Sequence, residues 1–329
     1  MRRTPEKKNS AVSFAPSDKI FLCGHRGMVG SAILRALQKN GFSDIILRNR
    51  QELDLLDQLA VNRFFAEERP DGVILAAARV GGIGANTRYP YEFLYENLQI
   101  QNNTIHAALK HGVGKFVFLG SSCIYPRECP QPMKEEYLMT GPLEPTNEGY
   151  ALAKIAGLRL LQYLRDEYGM KTLSVMPCNL YGPNDSFDPV RAHVMSALVR
   201  KFVDARKKGA NEVSLWGTGT ARREFLHVDD FARALLLMIQ RWESTEIVNI
   251  GCGKDVSIRE LAGMIAEASG YEGKILWDSS KPDGMPRKCL EVSKLKVIGF
   301  SPEVSLRTGI EELVRLYEES AASARTTQE

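Results

Sequence analysis

The chain has 329 residues, of which 44% are apolar and 25% are charged, and its net charge is +3 at neutral pH. No apolar run reaches the roughly 18 residues that a membrane-spanning helix needs, so we predict no membrane span. The first 17 residues alone carry a net charge of +3, so the rest of the chain is neutral overall. A neutral body argues against a nucleic-acid-binding surface, and we expect residues 1–17 to be a disordered basic tail.

The six cysteines and five histidines lack the spacing of a metal site. No two cysteines form a C-x-x-C pair, and no histidine lies four residues from another. We therefore predict no metal centre and no disulfide framework. Unpaired cysteines are typical of a reducing compartment, so we expect a cytoplasmic protein.

Short apolar runs alternate with longer helical patterns through the first half of the chain. The predicted strands are 19–23, 44–47, 72–77, 115–120 and 172–176, and the predicted helices are 28–39, 57–68, 91–110 and 147–168. This alternation, with continuously apolar strands, predicts an α/β fold of the Rossmann type. In such a fold, a doubly wound parallel sheet is covered by helices on both faces.

The pattern changes after residue 182. The predicted elements that follow are helix 193–208, strand 213–216, loop 217–224, helix 228–242 and strand 247–250. The segments 257–268 and 274–278 come next, before a last helix near 306–319. Strand 247–250 resembles a return to the sheet. We expect a dinucleotide-binding domain of 18–182 plus about 225–251. The remaining segments, 183–224 plus about 252–322, form a smaller C-terminal substrate-binding domain at the strand ends.

A glycine-rich loop links the first predicted strand to the first predicted helix. Its glycines, Gly24, Gly27 and Gly30, permit a tight turn, close approach of a pyrophosphate and close helix packing. The alternative is an ordinary strand–helix turn. The position of the loop favours a dinucleotide site, with the small residues 75–78 beside the phosphates.

The end of the second strand indicates which dinucleotide binds. An NAD site usually has an acidic residue there to bind the ribose 2′-hydroxyl. This chain instead has Arg48 and Arg50, with Arg26 in the glycine loop. Guanidinium groups suit a 2′-phosphate, so we predict NADP (NADPH) rather than NAD, although one of these arginines could simply face solvent.

Two segments supply groups suited to proton transfer. Tyr150 and Lys154 lie one helical turn apart, and Ser121 follows the fourth strand. The Lys154 ammonium is expected to lower the pKa of Tyr150, which would protonate the oxygen formed when hydride reaches a carbonyl. Cys123 and His193 are either packing residues or a base and acid for epimerisation beside that carbonyl.

These segments resemble a known family. The motifs GHRGMVGSAI, AAARVGGIGAN, LGSSCIYP, EPTNEGYALAKIAG, VMPCNLYGPND, HVMSALVRKF, WGTGTARREFLHVDD and SKPDGMPRK are similar to those of the GDP-L-fucose synthases, which are extended short-chain dehydrogenases/reductases. The resemblance covers roughly residues 18–320. It implies a bifunctional enzyme that epimerises C3 and C5 of a GDP-4-keto-6-deoxy-D-mannose substrate and reduces its C4 ketone with NADPH.

The resemblance also implies roles for individual residues. The reductase residues would be Ser121, Tyr150 and Lys154, and the epimerisation base and acid would be Cys123 and His193. The implied cofactor contacts are Gly24, His25, Arg26, Gly27, Met28, Val29, Gly30, Arg50, Gln51, Glu52, Leu53, Asp54, Leu55, Leu119, Gly120, Ser121, Ser122, Lys154, Pro177, Cys178, Asn179, Leu180 and His193. The implied GDP-sugar contacts are Lys201, Trp216, Arg223 and Asp283. A homodimer through helices 91–110 and 147–168 is implied as well.

Other functions of the same fold fit less well. A sugar-nucleotide 4,6-dehydratase needs an acid pair for elimination, and the Cys123-Ile124 pair has no carboxylate. A 4-epimerase would hold NAD and would not need Arg50. A non-catalytic NADP-sensing protein often loses the tyrosine or the lysine, and both are present here.

Overall fold

The computed structural model of the chain describes residues 12–189, 192–281 and 283–326. Strands and helices alternate in its first half, in this order: β1 (Ile20–Cys23), α1 (Met28–Lys39), β2 (Ile45–Ile46), α2 (Gln58–Glu68), β3 (Gly72–Leu75), α3 (Ile83–Arg88), α4 (Pro90–Lys110), β4 (Lys115–Leu119), α5 (Glu148–Tyr168) and β5 (Lys171–Pro177). The predicted elements are confirmed to within a few residues. The short helix α3 was not predicted.

The second half contains shorter elements. They are β6 (Asn179–Tyr181), α6 (Val194–Lys207), β7 (Glu212–Trp216), β8 (Arg222–His227), α7 (Val228–Arg241), β9 (Val248–Ile250), β10 (Asp255–Ser257), α8 (Ile258–Ser269), β11 (Lys274–Asp278), β12 (Arg287–Lys288), α9 (Ser293–Val297) and α10 (Leu306–Thr326). The prediction of a loop over 217–224 is wrong from Arg222 onward, where β8 begins. Pairing with β6, β10 and β12 makes this polar segment a strand.

A six-stranded parallel sheet forms the centre of the fold, in the order β2-β1-β3-β4-β5-β9. The residues of β1 and β3 are buried throughout, as expected for a sheet covered on both faces. Strand β9 pairs with β5, which confirms the predicted return to the sheet. All carboxyl ends meet at one edge, where ligands of such sheets bind.

The predicted tail of residues 1–17 extends too far, because its last residues belong to the folded domain. Val12 and Phe14 are buried in the core of the sheet domain. The Phe14 ring lies against Gly72 at the start of β3, and the Lys115 ammonium lies 5.7 Å from the ring centre. Residues 12–17 are therefore not a separate tail, and residues 1–11 lie outside the described residues.

The molecule has two distinct hydrophobic cores. The first surrounds the parallel sheet, whereas the second joins α6, α8 and α10 with β7. Strand β8 connects them, since Phe225 packs in the second core and Leu226 in the first. The start of β8, at Arg222 and Arg223, pairs with β10 and β12.

Candidate active site

The glycine loop lies where β1 ends, against the end of β3. Gly24 has a left-handed φ of +84°, and a Cβ added there would come within 2.7 Å of the Ala77 backbone nitrogen. A Cβ on Gly30 would collide with the Gly24 carbonyl. Only glycine fits at both positions, and the loop presents the N-terminus of α1 to the cleft.

Observations of this loop fit a dinucleotide phosphate. The Nδ1 atom of His25 is buried without a hydrogen-bond partner, so it is available to a ligand. Gly27, Met28 and Val29 continue the turn into α1, whose first turn has no acidic residue to repel an anion.

The three arginines near this loop have different environments. Arg48 donates to Glu68 at 2.6 Å and lies over the Phe64 ring, so its guanidinium is engaged within the fold. The Arg50 side chain is 71% exposed, and its Nε lies 3.4 Å from an Asp54 carboxylate oxygen. Arg26 is exposed as well. Arg26 and Arg50 are therefore the candidates for a 2′-phosphate, and Arg48 is not.

The segment after Arg50 is a folded turn. The Gln51 backbone N–H donates to the Asn49 side chain at 2.8 Å, and the Glu52 carboxylate accepts from the Asn49 backbone at 2.7 Å. Leu53 is buried, and Asp54 accepts from the Leu56 backbone N–H at 3.0 Å. Leu55 is partly buried against the sheet core. The predicted cofactor contacts in this segment thus lie in one ordered turn beside the glycine loop.

Strand β4 ends in the segment that holds Ser121 and Cys123. Gly120 packs against the Met176 sulfur, and Ser122 is buried. The Ser121 hydroxyl accepts from the Cys123 backbone N–H at 3.1 Å and starts a single helical turn. This turn directs Cys123 toward the start of α5.

Tyr150 and Lys154 lie on the first turns of α5 at this edge. Burial and the nearby Cys123 raise the pKa of Tyr150 above its usual value, and a hydrogen bond with Ser121 opposes this. Burial lowers the pKa of Lys154 to about 8. The Lys154 ammonium donates to the Leu119 carbonyl at 2.9 Å and lies 5.7 Å from the Tyr150 ring centre.

The prediction that Lys154 lowers the pKa of Tyr150 is therefore wrong for this structure. Burial disfavours the charged form of each group, and the shift of the Tyr150 pKa has burial, Cys123 and Ser121 as its causes rather than Lys154. Tyr150 keeps its proton at neutral pH, as a tyrosine with an unshifted pKa also would, and can serve as a proton donor.

The Cys123 thiol has two donors at its sulfur. Both the Asn147 amide nitrogen and the Lys288 ammonium lie 3.2 Å from Sγ. Burial raises the pKa of Cys123, but Lys288, the Ser121 hydroxyl and Arg223 together bring it below its usual value. The sulfur is thus suited to act as a thiolate base.

Sequence reasoning missed Lys288 and Asn147 as site residues. The motif that contains Lys288 was recognised, but only Asp283 was selected from it. Lys288 lies on β12, where it pairs in register with Arg223 of β8. The next residue of β8, the buried Glu224, accepts from the Leu290 and Gly253 backbone N–H groups at 2.8 and 2.6 Å. Burial raises the pKa of Glu224 to about 7.

His193 lies at the N-terminus of α6, where its side chain makes no capping hydrogen bond. Burial raises the pKa of the neighbouring Asp185, whereas hydrogen bonding by Ser196 and the proximity of His193 lower it. The preceding Ala192 carbonyl lies close to Gly82, in the loop after β3. The structure thus brings His193 beside an acidic group and places the preceding residue near the edge of the central sheet.

The segment Pro177–Leu180 crosses from β5 to β6 at the same edge. Its Cys178 backbone N–H donates to the Ile250 carbonyl at 2.9 Å, and the Asn179 side chain donates to the Glu224 carbonyl at 2.9 Å. Burial raises the pKa of the Cys178 thiol well above its usual value. Cys178 is therefore an unreactive thiol, unlike Cys123.

The four predicted substrate contacts lie in the C-terminal region. Trp216 is 69% exposed, and the Lys201 ammonium donates to the Ser214 carbonyl on β7. Arg223 interacts electrostatically with both Cys123 and Asp283. The Asp283 carboxylate accepts from the backbone N–H and hydroxyl of Thr218 at 2.7 and 2.8 Å, so it orders the loop after β7.

The described ranges of the chain contain neither a metal-binding cluster nor a membrane-spanning helix. No cluster of three or more histidine, cysteine or acidic residues there is arranged to hold a metal ion. No helix within those ranges has the length and apolar character needed to cross a bilayer.

A glycine loop, a Ser-Tyr-Lys group and a doubly wound sheet define a dinucleotide-dependent enzyme of the extended short-chain dehydrogenase/reductase class. Comparison with known families agrees, because the NAD dependent epimerase/dehydratase family matches residues 20–251.

Individual relatives narrow the class. GDP-L-fucose synthase 1 of Arabidopsis thaliana is 54% identical over 301 residues, covering 92% of this chain and 93% of that protein. GDP-L-fucose synthase of Escherichia coli strain K12 is 51% identical over 301 residues, with coverage of 89% and 94%. A crystal structure of a GDP-L-fucose synthetase from Naegleria fowleri bound to NADP superposes with a TM-score of 0.85 at 27% identity, covering 95% of this chain and 97% of that one. The chain therefore belongs to the NAD-dependent epimerase/dehydratase family, and within it to the GDP-L-fucose synthases.

Proposed function

We propose that this chain converts GDP-4-keto-6-deoxy-D-mannose to GDP-L-fucose, by epimerisation at C3 and C5 followed by NADPH-dependent reduction of the C4 ketone. The observation that supports this best is the pairing of two kinds of acid–base group in one place. The Cys123 thiol, whose pKa is lowered, lies beside Ser121 and Tyr150, whose arrangement suits carbonyl reduction.

Epimerisation uses the acidity that the C4 ketone gives to its neighbouring carbons. The Cys123 thiolate removes the proton from C3 or C5, and the electron pair moves toward the ketone oxygen. His193 then delivers a proton to the opposite face of the same carbon. The thiol and the imidazole subsequently exchange protons with water, so the step has no net change in protons.

Reduction uses the second group of residues. Bound NADPH would supply a hydride for the C4 ketone. Tyr150 gives its proton to the C4 oxygen, and the Ser121 hydroxyl orients that oxygen by hydrogen bonding. A tyrosine hydroxyl is protonated at neutral pH even without a pKa shift, so Tyr150 can act as the donor there.

The residues at the cleft fit NADP. Gly24–Gly30 and the N-terminus of α1 would hold the pyrophosphate, and Arg26 and Arg50 the 2′-phosphate. The turn at 51–55 would hold the adenosine part. The remaining predicted contacts, at Leu119–Ser122, Lys154, Pro177–Leu180 and His193, would surround the nicotinamide half.

The GDP-sugar would lie between the two cores. Arg223 and Lys201 supply positive charge for the diphosphate, and the exposed Trp216 supplies a surface for stacking. Asp283 would contribute to GDP-sugar binding indirectly, by ordering the loop after β7 next to Trp216.

Incubation with GDP-4-keto-6-deoxymannose and NADPH tests this function. The expected product is GDP-L-fucose, identified by chromatography against standards, with one NADPH oxidised per sugar. Formation of an unepimerised 6-deoxyhexose alone, or no NADPH oxidation, would contradict the proposal.

The remaining proposals concern assembly and location. A homodimer through α4 and α5 is supported by four exposed apolar side chains on these helices: Tyr91, Tyr95, Leu152 and Tyr163. Sedimentation of the wild type and of Leu152→Glu would test it.

Free thiols at all six cysteines support a cytoplasmic location, which cell fractionation would test. The two cores support the division into an NADP-binding and a GDP-sugar-binding domain, which limited proteolysis would test.

A further inference from the structure

Asn147 occupies the N-cap position of α5 but does not cap the helix. Asparagine at this position usually accepts a hydrogen bond from a backbone N–H of the first turn. The Asn147 side chain makes no such bond. Its amide is therefore available for another contact.

The amide is directed at the Cys123 sulfur instead. Its Nδ2 lies 3.2 Å from Sγ, and its Oδ1 is buried without a hydrogen-bond partner. A thiolate at Cys123 accepts such a hydrogen bond and would repel the amide oxygen. The arrangement leaves a buried acceptor unsatisfied, which is unusual for a purely structural residue.

We propose that Asn147 is a positioning residue for epimerisation, which holds the Cys123 sulfur as the base by donating an N–H from the start of α5. This inference rests on the proposed function. Because Tyr150 lies three residues further along the same helix, Asn147 also fixes the distance between the epimerisation base and the reductase acid.

The donor complements the charges around the sulfur. Lys288 on β12 and Arg223 on β8 supply positive charge, and the Ser121 hydroxyl supplies a further hydrogen bond. The Tyr150 hydroxyl lies on the same side and stays neutral. Of these neighbours, Lys288 and Arg223 lie in the C-terminal part of the chain, whereas Asn147 is only 24 residues from Cys123 in sequence.

Two substitutions separate positioning from capping. Asparagine and aspartate have the same shape, and aspartate is an equally good N-cap. If Asn147 has only a structural role at the start of α5, Asn147→Asp will leave activity unchanged or stabilise the fold. If it holds the thiolate, Asn147→Asp will replace a donor with a second negative charge, and the loss will exceed that of Asn147→Ala.

The readout is alkylation of the NADP-loaded enzyme with iodoacetamide, followed for the Cys123 peptide by mass spectrometry between pH 6 and 10. We expect alkylation at pH 7 to slow about tenfold in Asn147→Ala and more in Asn147→Asp, with the profile shifted to higher pH. Deuterium exchange at C3 and C5 should slow in the same order. NADPH affinity should stay within about twofold, which shows that the variants are folded.

Asn40→Ala is the matched control. Asn40 is an exposed asparagine that directly follows the C-terminus of α1, where its amide donates to the Ala36 carbonyl at 2.8 Å. It should change none of these readouts. Wild-type alkylation rates and profiles in both Asn147 variants would overturn the inference. Because alkylation needs no sugar, that result is distinct from failure of the wild type to make GDP-L-fucose, which would overturn the proposed function.

Discussion

The two halves of the proposed site are built in different ways. Ser121 follows β4, and Tyr150 and Lys154 lie on α5; these two elements pack in a single core. Cys123, by contrast, receives one donor from Asn147 nearby and another from Lys288, which is 165 residues away in sequence. The reductase half is thus a property of one core, whereas the epimerase half depends on how the C-terminal region meets it.

The electrostatics of the two halves differ in the same way. Burial dominates at Tyr150, which stays protonated, and at Lys154, whose pKa falls to about 8. At Cys123, cations from the C-terminal region overcome burial. One pocket therefore holds an acid and a base ready at the same pH, because different parts of the chain control them. Four substitutions test this separation.

Tyr150→Phe should have the largest effect. Removing the hydroxyl that protonates the C4 oxygen should slow NADPH oxidation by about a thousandfold, as for loss of a general acid. Exchange of deuterium into C3 and C5 should continue, because Cys123 is untouched. If the variant neither reduces nor exchanges, the two halves are not separable.

Cys123→Ser should have the next largest effect. A hydroxyl is a much weaker base than a thiolate, so we expect epimerisation to slow by about a hundredfold or more. The reductase group remains, so the products should be GDP-6-deoxyhexoses of the manno or talo type, separated by chromatography. GDP-L-fucose formed at nearly the wild-type rate would remove Cys123 from the mechanism.

Lys288→Met should slow exchange by about tenfold near neutral pH. The ammonium stabilises the thiolate, so its loss raises the pKa of Cys123. Since the base must be deprotonated, exchange falls as the pH drops through that pKa, and the falling limb should move to higher pH in the variant. Exchange measured between pH 6 and 10 checks this, and an unmoved limb contradicts it.

Arg50→Ala should have the smallest effect on turnover. Losing one charge-assisted contact to the 2′-phosphate should raise the KM for NADPH by about tenfold and leave that for NADH nearly unchanged. Arg48→Ala is the matched control, because Arg48 pairs with Glu68. Equal effects on NADPH and NADH in Arg50→Ala would refute the assignment of Arg50.

The sequence predicts the parts of the molecule that local patterns determine. The apolar strands, the glycine loop and the Tyr150–Lys154 pair follow from periodicity and spacing, and the structure confirms their placement. The segment from Arg222 to Glu224 was predicted as a loop because its residues are polar. Only pairing with distant strands makes it part of β8.

Long-range contacts account for the other differences. Lys288 and Asn147 have no local signal, because each acts through a sulfur that another part of the chain positions. The sequence does not show that Arg48, unlike Arg50, forms an ion pair with Glu68. The raised pKa of Tyr150 depends on burial, which the spacing to Lys154 does not reveal.

The central claim is that one pocket both exchanges protons beside the ketone and reduces it. The direct test is a single incubation of the wild type with GDP-4-keto-6-deoxymannose and NADPH in heavy water, followed by NMR of the purified product. We expect GDP-L-fucose with deuterium at both C3 and C5 and with the hydrogen delivered by NADPH at C4. GDP-L-fucose with no deuterium at C3 and C5, or a reduced sugar with unchanged configuration at both carbons, would contradict it.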